Sequence, residues 1–152
     1  MRKFLRRTLL VSLVVFTIVL IGSGVYLYRI ATGSLAQLDG SERVAPLIAP
    51  VKVERDDAGI VTIRAANARD RAFAMGYVHA QERFFQMDIL RRVAAGELSE
   101  LVGSAAIDVD KEHRLHRFRH HAGRVVHAAS AEERDYLDRY AAGVNEGLRN
   151  LG

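Results

Sequence analysis

The sequence predicts an α+β fold, incomplete in itself, preceded by one long apolar helix. Three observations predict it: an uncharged run of 21 residues near the start, a pair of short segments rich in β-branched residues flanking a turn, and two long apolar patterns of helical period. With 152 residues the chain has room for one ordinary domain at most. Two strands and two strong helices supply little self-contained core, so each apolar face needs a cover that these residues do not provide. The expectation is therefore an incomplete domain.

The first element is residues 8–28, TLLVSLVVFTIVLIGSGVYLY. At about 1.5 Å per residue, a helix of that length crosses a hydrocarbon layer of about 30 Å. Tyr26 and Tyr28 sit near its far end, where amphipathic rings favour the interface. Arg2, Lys3, Arg6 and Arg7 precede the run and only Arg29 follows closely, which keeps residues 1–7 in the cytoplasm as a basic segment. Two readings fit, a retained transmembrane anchor and a signal peptide cut near Ser34-Leu35-Ala36, where Ser34 and Ala36 are small. Both place the bulk of the chain outside the cytoplasm, periplasmic in a Gram-negative cell or secreted after cleavage. Residues 29–50 read as a tether.

Charge supports this division. Residues 1–30 hold five bases and no acid, whereas the other 122 hold 17 bases and 18 acids. The folded part thus has no surplus positive charge for a nucleic-acid partner. The absence of cysteine excludes disulfides, thiolate catalysis and Cys-ligated zinc.

Within residues 51–152, residues 51–55 (VKVER) alternate apolar and polar as a half-buried strand does, and residues 60–63 (IVTI) read as its hairpin partner. Asp56, Asp57, Ala58 and Gly59 between them have turn chemistry. From about Asp70 the period becomes helical through Phe73, Tyr77, Ala80, Phe84, Met87, Leu90 and Val93, with Asn67 or Asp70 as cap. Gly96 interrupts that helix, a short helical segment follows through Leu101, and Gly103 suits a stop. Residues 104–128 have only weak helical spacing, at Leu115, Phe118 and Val125. Ser130 and Glu133 then form a capping box, and Leu137, Tyr140, Ala141, Val144, Leu148 and Leu151 make one apolar stripe.

Candidate chemistry is sparse. His113, His116 and His120, at i, i+3 and i+7, would share one face of a helix with His121 adjacent, a spacing compatible with zinc or copper. Arg114, Arg117, Arg119 and Arg124 surround them and disfavour a dication, so a solvated basic face is expected and no metal is assigned. Asp108, Asp110 and Glu112 lack the glycine and terminal glutamate of a calcium loop and read as a surface acidic turn pairing with arginines. Glu54, Asp56 and Asp57 are exposed hairpin acids. Gln81, Glu82, Arg83 and Gln86 lie on an otherwise apolar helix, either as an exposed, locally paired face or as polar struts buried against a partner segment. No serine stands in a nucleophile elbow.

Residues 76–92 (GYVHAQERFFQMDILRR) and 94–103 (AAGELSELVG), with 51–65 (VKVERDDAGIVTIRA) upstream and 140–146 (YAAGVNE) downstream, resemble the penicillin acylase family of N-terminal-nucleophile hydrolases. The likeness is collinear over about residues 51–148 and departs at Val61-Thr62, where the family often has Pro-His. It implies a four-layer αββα sandwich, of which these residues would be the beginning of the α chain. It implies a precursor that cuts itself, a β-chain amino-terminal serine whose own α-amine is its base, and hydrolysis of an amide through an acyl-enzyme. Penicillins, cephalosporin side chains and acyl-homoserine lactones are substrates across the family. Nucleophile, oxyanion hole and the ligands of a structural calcium all fall in later sequence, so no catalytic residue and no cofactor is assigned here. Calcium remains an expectation for the full-length protein, and the β chain is the expected partner. What transfers is scaffold: Tyr77, Gln81, Arg83, Phe84, Gln86 and Met87 on the first long helix would pack beside the site, and the chain alone would be inactive. The alternative is a membrane-tethered binding or interaction module on an acylase-derived scaffold; a histidine metal-binding module is a third.

Overall fold

The computed structural model describes residues 2–33, 35, 36, 38–44 and 47–151, with the backbone alone at residues 2, 3, 5, 8 and 9. Ser34 of the candidate cleavage stretch and Ala45 and Pro46 of the tether lie outside the described residues. The chain divides into two compact units, one holding the amino-terminal helix and the other residues 38–150.

Helix α1 (Arg2–Gly33) is longer at both ends than the apolar run that predicts it, and residues 29–33, read as tether, are helical. Its stretch Leu10–Gly33 is long and apolar enough to cross a membrane, a property that an anchor and a signal sequence share. Thr17 and Thr32 donate their hydroxyls to the carbonyls of Leu13 and Tyr28, both at 2.8 Å. These two hydroxyls are thereby satisfied within the helix.

The second unit is mainly helical, with one antiparallel hairpin. Strands β1 (Lys52–Arg55) and β2 (Val61–Arg64) pair with Val53 opposite Ile63 and Arg55 opposite Val61. The Asp56 carboxylate accepts from the Ala58 and Ile60 amides at 3.0 and 2.8 Å, and Gly59 takes the left-handed conformation with φ 77°. Lys52 and Arg64 flank Glu54 and hold its carboxyl at about 2.

Helix α2 (Ala68–Ala95) starts on Asn67, whose side chain accepts from the Asp70 amide. Its helical geometry breaks once, at Arg83 (φ −140°, ψ 15°), a kink that the sequence does not signal. It ends at Gly96 (φ 69°), followed by α3 (Ser99–Val102), a 3-10 turn (Gly103–Ala106), α4 (Ile107–His116), α5 (Phe118–Ala128) and α6 (Ala131–Arg149). The capping box of Ser130 and Glu133 forms in full.

The core lies where α2 meets α6. Among the described residues the buried apolar side chains are Ala72, Phe73, Ala74, Val78 and Ala80 on α2 and Ala106 in the 3-10 turn. Of the predicted apolar stripe of α6, Tyr140 and Val144 are half-buried at the contact with α2, and the closest approach is made by glycines. A Cβ on Gly143 would stand 1.9 Å from the Phe73 carbonyl oxygen, one on Gly147 2.4 Å from that of Tyr77, and one on Gly76 2.1 Å from that of Tyr140. Backbones approach at glycine because a side chain there has no room. α6 therefore turns Gly143 and Gly147 inward, and Leu137, Ala141 and Leu148 remain exposed. Leu151 lies past the helix end.

Candidate functional site

The residues expected beside a site are all on α2, and the kink divides them. Tyr77 and Gln81 precede it and are half-buried in a polar cluster. The Tyr77 hydroxyl donates to Glu42 and accepts from the Gln81 amide at 3.1 Å; Asn150 at the end of α6 donates to Glu42 as well. Burial and the Glu42 carboxylate both push the Tyr77 phenol up, so it stays a donor at neutral pH. This cluster clasps residue 42 of the tether to α2 and α6.

Arg83, Phe84, Gln86 and Met87 follow the cluster. Phe84 and Met87 are half-buried, whereas Arg83 and Gln86 are exposed and make no side-chain hydrogen bond or ion pair among the described residues. The local pairing expected around Glu82 does not form. Glu82 is instead taken by Arg55 at the end of β1, through Nε at 3.1 Å and Nη2 at 3.0 Å, so the hairpin is tied to α2 one residue before the kink. Beyond it Phe85 and Leu90 project from the helix, 73% and 66% exposed. The half-turn around Arg83 thus presents an apolar, unpartnered surface next to two uncommitted polar side chains.

Two acids, one expected only as a candidate helix cap and the other in a surface turn, are buried. Asp70, 1% exposed, accepts from the Ile48 and Ala49 amides at 2.9 Å each and from the Asn67 side chain at 2.7 Å. Burial pushes its carboxyl up, but these donors more than offset it and leave it below the usual carboxylate value. Asp110 belongs to no surface turn. It sits in α4, 4% exposed, and accepts from the Leu98 and Ser99 amides at 2.7 and 2.8 Å, starting α3. It too lies below the usual value, its donors outweighing burial. Arg114 donates to the Gly96 carbonyl at 2.8 Å, and Gly96 has no room for a Cβ against Arg114 and Asp110. The motif AAGELSELVG is therefore a corner, folded by one glycine and held by one buried carboxylate. A buried acid twelve residues downstream carries no local signal.

The histidine face does not form. Arg117 adopts the left-handed conformation (φ 52°) and separates α4 from α5, so His113 and His116 lie on one helix and His120 on another. His113 bonds the Val109 carbonyl at 2.9 Å and His116 stacks on Phe118. Among the described residues no group of three or more His, Asp or Glu side chains is placed to hold a metal ion. Both oxygens of each buried carboxylate are engaged by N–H donors, an arrangement that does not fit calcium ligation. Nor does a described Ser or Thr hydroxyl donate to a histidine; His79 instead meets the Tyr140 hydroxyl at 2.9 Å.

Buried polar anchors, a glycine helix crossing and an apolar kink next to a hairpin are what the described residues assemble here. Residues 50–152 match the family model described as Penicillin amidase, and the chain belongs to that family. Penicillin acylase 2 proenzyme of Pseudomonas sp. (strain SE83) is 41% identical over 112 residues, which cover 74% of this chain and 14% of that protein. Acyl-homoserine lactone acylase QuiP of Pseudomonas fluorescens (strain Pf0-1) is 35% identical over 115 residues, 76% of this chain and 14% of that protein. Among solved structures, thermostable penicillin G acylase from Alcaligenes faecalis superposes with a TM-score of 0.62 at 30% identity, covering 69% of this chain and 56% of that one. The chain thus matches about one-seventh of the length of these curated relatives.

Proposed function

We propose that this chain is the leading part of a penicillin-acylase-like amide hydrolase and supplies scaffold to its active site. The reading is carried by a match over residues 50–152 to a family of acylases in residues that hold no nucleophile paired with a base. In the proposed whole, the hairpin β1–β2 adds strands to an αββα sandwich, and Phe84, Phe85 and Met87 around the kink line the wall beside the substrate. The chemistry is acyl transfer to water. A β-chain amino-terminal serine outside these residues attacks the amide carbonyl, the amine leaves with a proton, and water releases the acid from the acyl-enzyme. Calcium, where bound, takes ligands from that remainder. This chain by itself is inactive. α1 exports the protein and holds it at the outer face of the membrane, a role supported by its apolar length, its internally bonded threonines and the arginines before it.

The test is an exchange. Residues 50–152 replace the matching segment of the penicillin acylase 2 proenzyme, and processing and penicillin hydrolysis are measured. Self-cleavage into two chains with turnover is expected, with none from the 152-residue chain alone. An exchanged precursor that folds but never hydrolyses an amide, or turnover by the isolated chain, overturns the reading.

A further inference from the structure

Helix α5 is fully exposed and sharply two-sided. At about 100° per residue, Phe118, Ala122, Val125 and Val126 fall within one arc, Arg119 borders it beside Val126, and His120, Arg124 and His127 face the other way. Residues 113–131 contain four arginines, five histidines and no acid. Arg119 is taken by Glu97, and Arg114 by the Gly96 carbonyl. Arg117 and Arg124 have no ion pair among the described residues. A shallow open recess along the helix is lined by Arg119, His120, His121, Arg124, Val125 and His127. An apolar stripe bordered by uncompensated cations fits a surface that is oily beneath a negative rim, which is the construction of an anionic phospholipid layer.

The leash favours the same occupant. Eight residues separate the end of α1 at Gly33 from Glu42, which the Tyr77 and Asn150 bonds hold to the folded unit. Fully extended, eight residues reach about 29 Å. A bilayer holding α1 would keep the second unit at its surface permanently, so a weak contact there acts at high effective concentration.

We propose that α5 docks on an anionic phospholipid surface, Phe118, Val125 and Val126 entering the boundary of headgroups and acyl chains and Arg117 and Arg124 meeting lipid phosphates. This rests on the reading of α1 as a membrane helix. The chain has no tryptophan, so a single introduced one reports its own position. The full chain carrying Phe118→Trp, Val125→Trp or Val15→Trp is reconstituted into phosphatidylcholine vesicles with and without phosphatidylglycerol, and quenching by bromine-labelled lipid chains is read. Expected is quenching of Val15→Trp in both vesicles, and blue-shifted, lipid-quenched emission of Phe118→Trp and Val125→Trp only where phosphatidylglycerol is present, reversed by high salt. Adding Arg117→Gln and Arg124→Gln, which removes two cations, should lower the docked-to-undocked ratio about 30-fold. If both α5 reporters escape lipid quenching while Val15→Trp is quenched, the proposal is overturned, red emission meaning α5 lies in water and blue emission meaning polypeptide covers it. Failure of Val15→Trp to be quenched overturns the anchor reading instead. Vesicles added from outside then decide α5 by the same two reporters, with docking supported only by charge-dependent quenching.

Discussion

Asp70 and Asp110 do the same work at two places: each is a buried carboxylate whose oxygens terminate backbone N–H groups of a segment with no strand or helix partner for them. Because the folded carboxyl lies below 3.8, the stability it contributes is fully present above that pH and is lost as pH falls through the lower folded value. Acidification below about 3.8 is therefore expected to release residues 48–49 early, seen as loss of Ile48 and Ala49 amide protection after correction for intrinsic exchange rates. Asp70→Asn exchanges an acceptor for a donor facing a donor. It should cost about 2 kcal/mol at neutral pH and make that protection insensitive to acid; protection that survives the substitution would place the anchor elsewhere. Tyr77→Phe tests the neighbouring clasp. Without the hydroxyl, Glu42 keeps only Asn150, and proteolysis within residues 38–44 should speed up several-fold while α2 stays helical. Neither anchor was legible in the sequence. Tyr77 and Gln81 could be named from a resemblance, but their partners Glu42 and Asn150 lie 35 and 73 residues away, beyond any local pattern.

At the scale of elements, local chemistry was readable and contact faces were not. Asn67, Ser130 with Glu133, Gly96 and Gly103 end helices as their types require, and the hairpin follows from two β-branched runs around Asp-Asp-Ala-Gly. On α6 apolar bulk marks only part of the contact: Tyr140 and Val144 are half-buried, whereas Leu137, Ala141 and Leu148 are exposed. Gly143 and Gly147, four apart, mark one face of the helix, and the closest approach to α2 uses that face. The Arg117 break lay hidden because arginine is an ordinary helix former, and only tertiary context puts it at positive φ. The contact can be tested by contrast. Gly143→Ala drives a methyl group into the Phe73 carbonyl, which cannot yield, and is expected to cost about 2–3 kcal/mol. Gly123→Ala in α5 meets nothing within 4 Å and should add about 1 kcal/mol through helix propensity alone. Urea midpoints by far-ultraviolet circular dichroism give both signs, and equal effects would refute the glycine crossing.

At the scale of the whole molecule, what matters is how little is covered. The second unit spans residues 38–150, yet among its described residues only Phe73 and Val78 are buried apolar side chains larger than alanine. Phe85, Leu90, Leu115 and Val125 each stand at least 66% exposed, and burying such a side chain is worth about 1.5–3 kcal/mol. Helices with good caps and buried carboxylate anchors hold their backbone geometry locally, but cooperativity needs a shared core. The isolated 152-residue chain is therefore expected to unfold gradually, with the helical signal at 222 nm outlasting the tertiary signal of its tyrosines, and to bind an apolar dye before any urea is added. In the exchanged acylase precursor dye binding by the faces around the kink should be lost, and the two transitions should merge, because those oily faces gain their cover. α5 is the internal control: a helix that meets lipid and not polypeptide stays accessible to dye in that precursor when no membrane is supplied. A sharp, coincident transition of the monomeric chain without dye binding would mean that this small core is sufficient, and the scaffold reading would lose its physical ground.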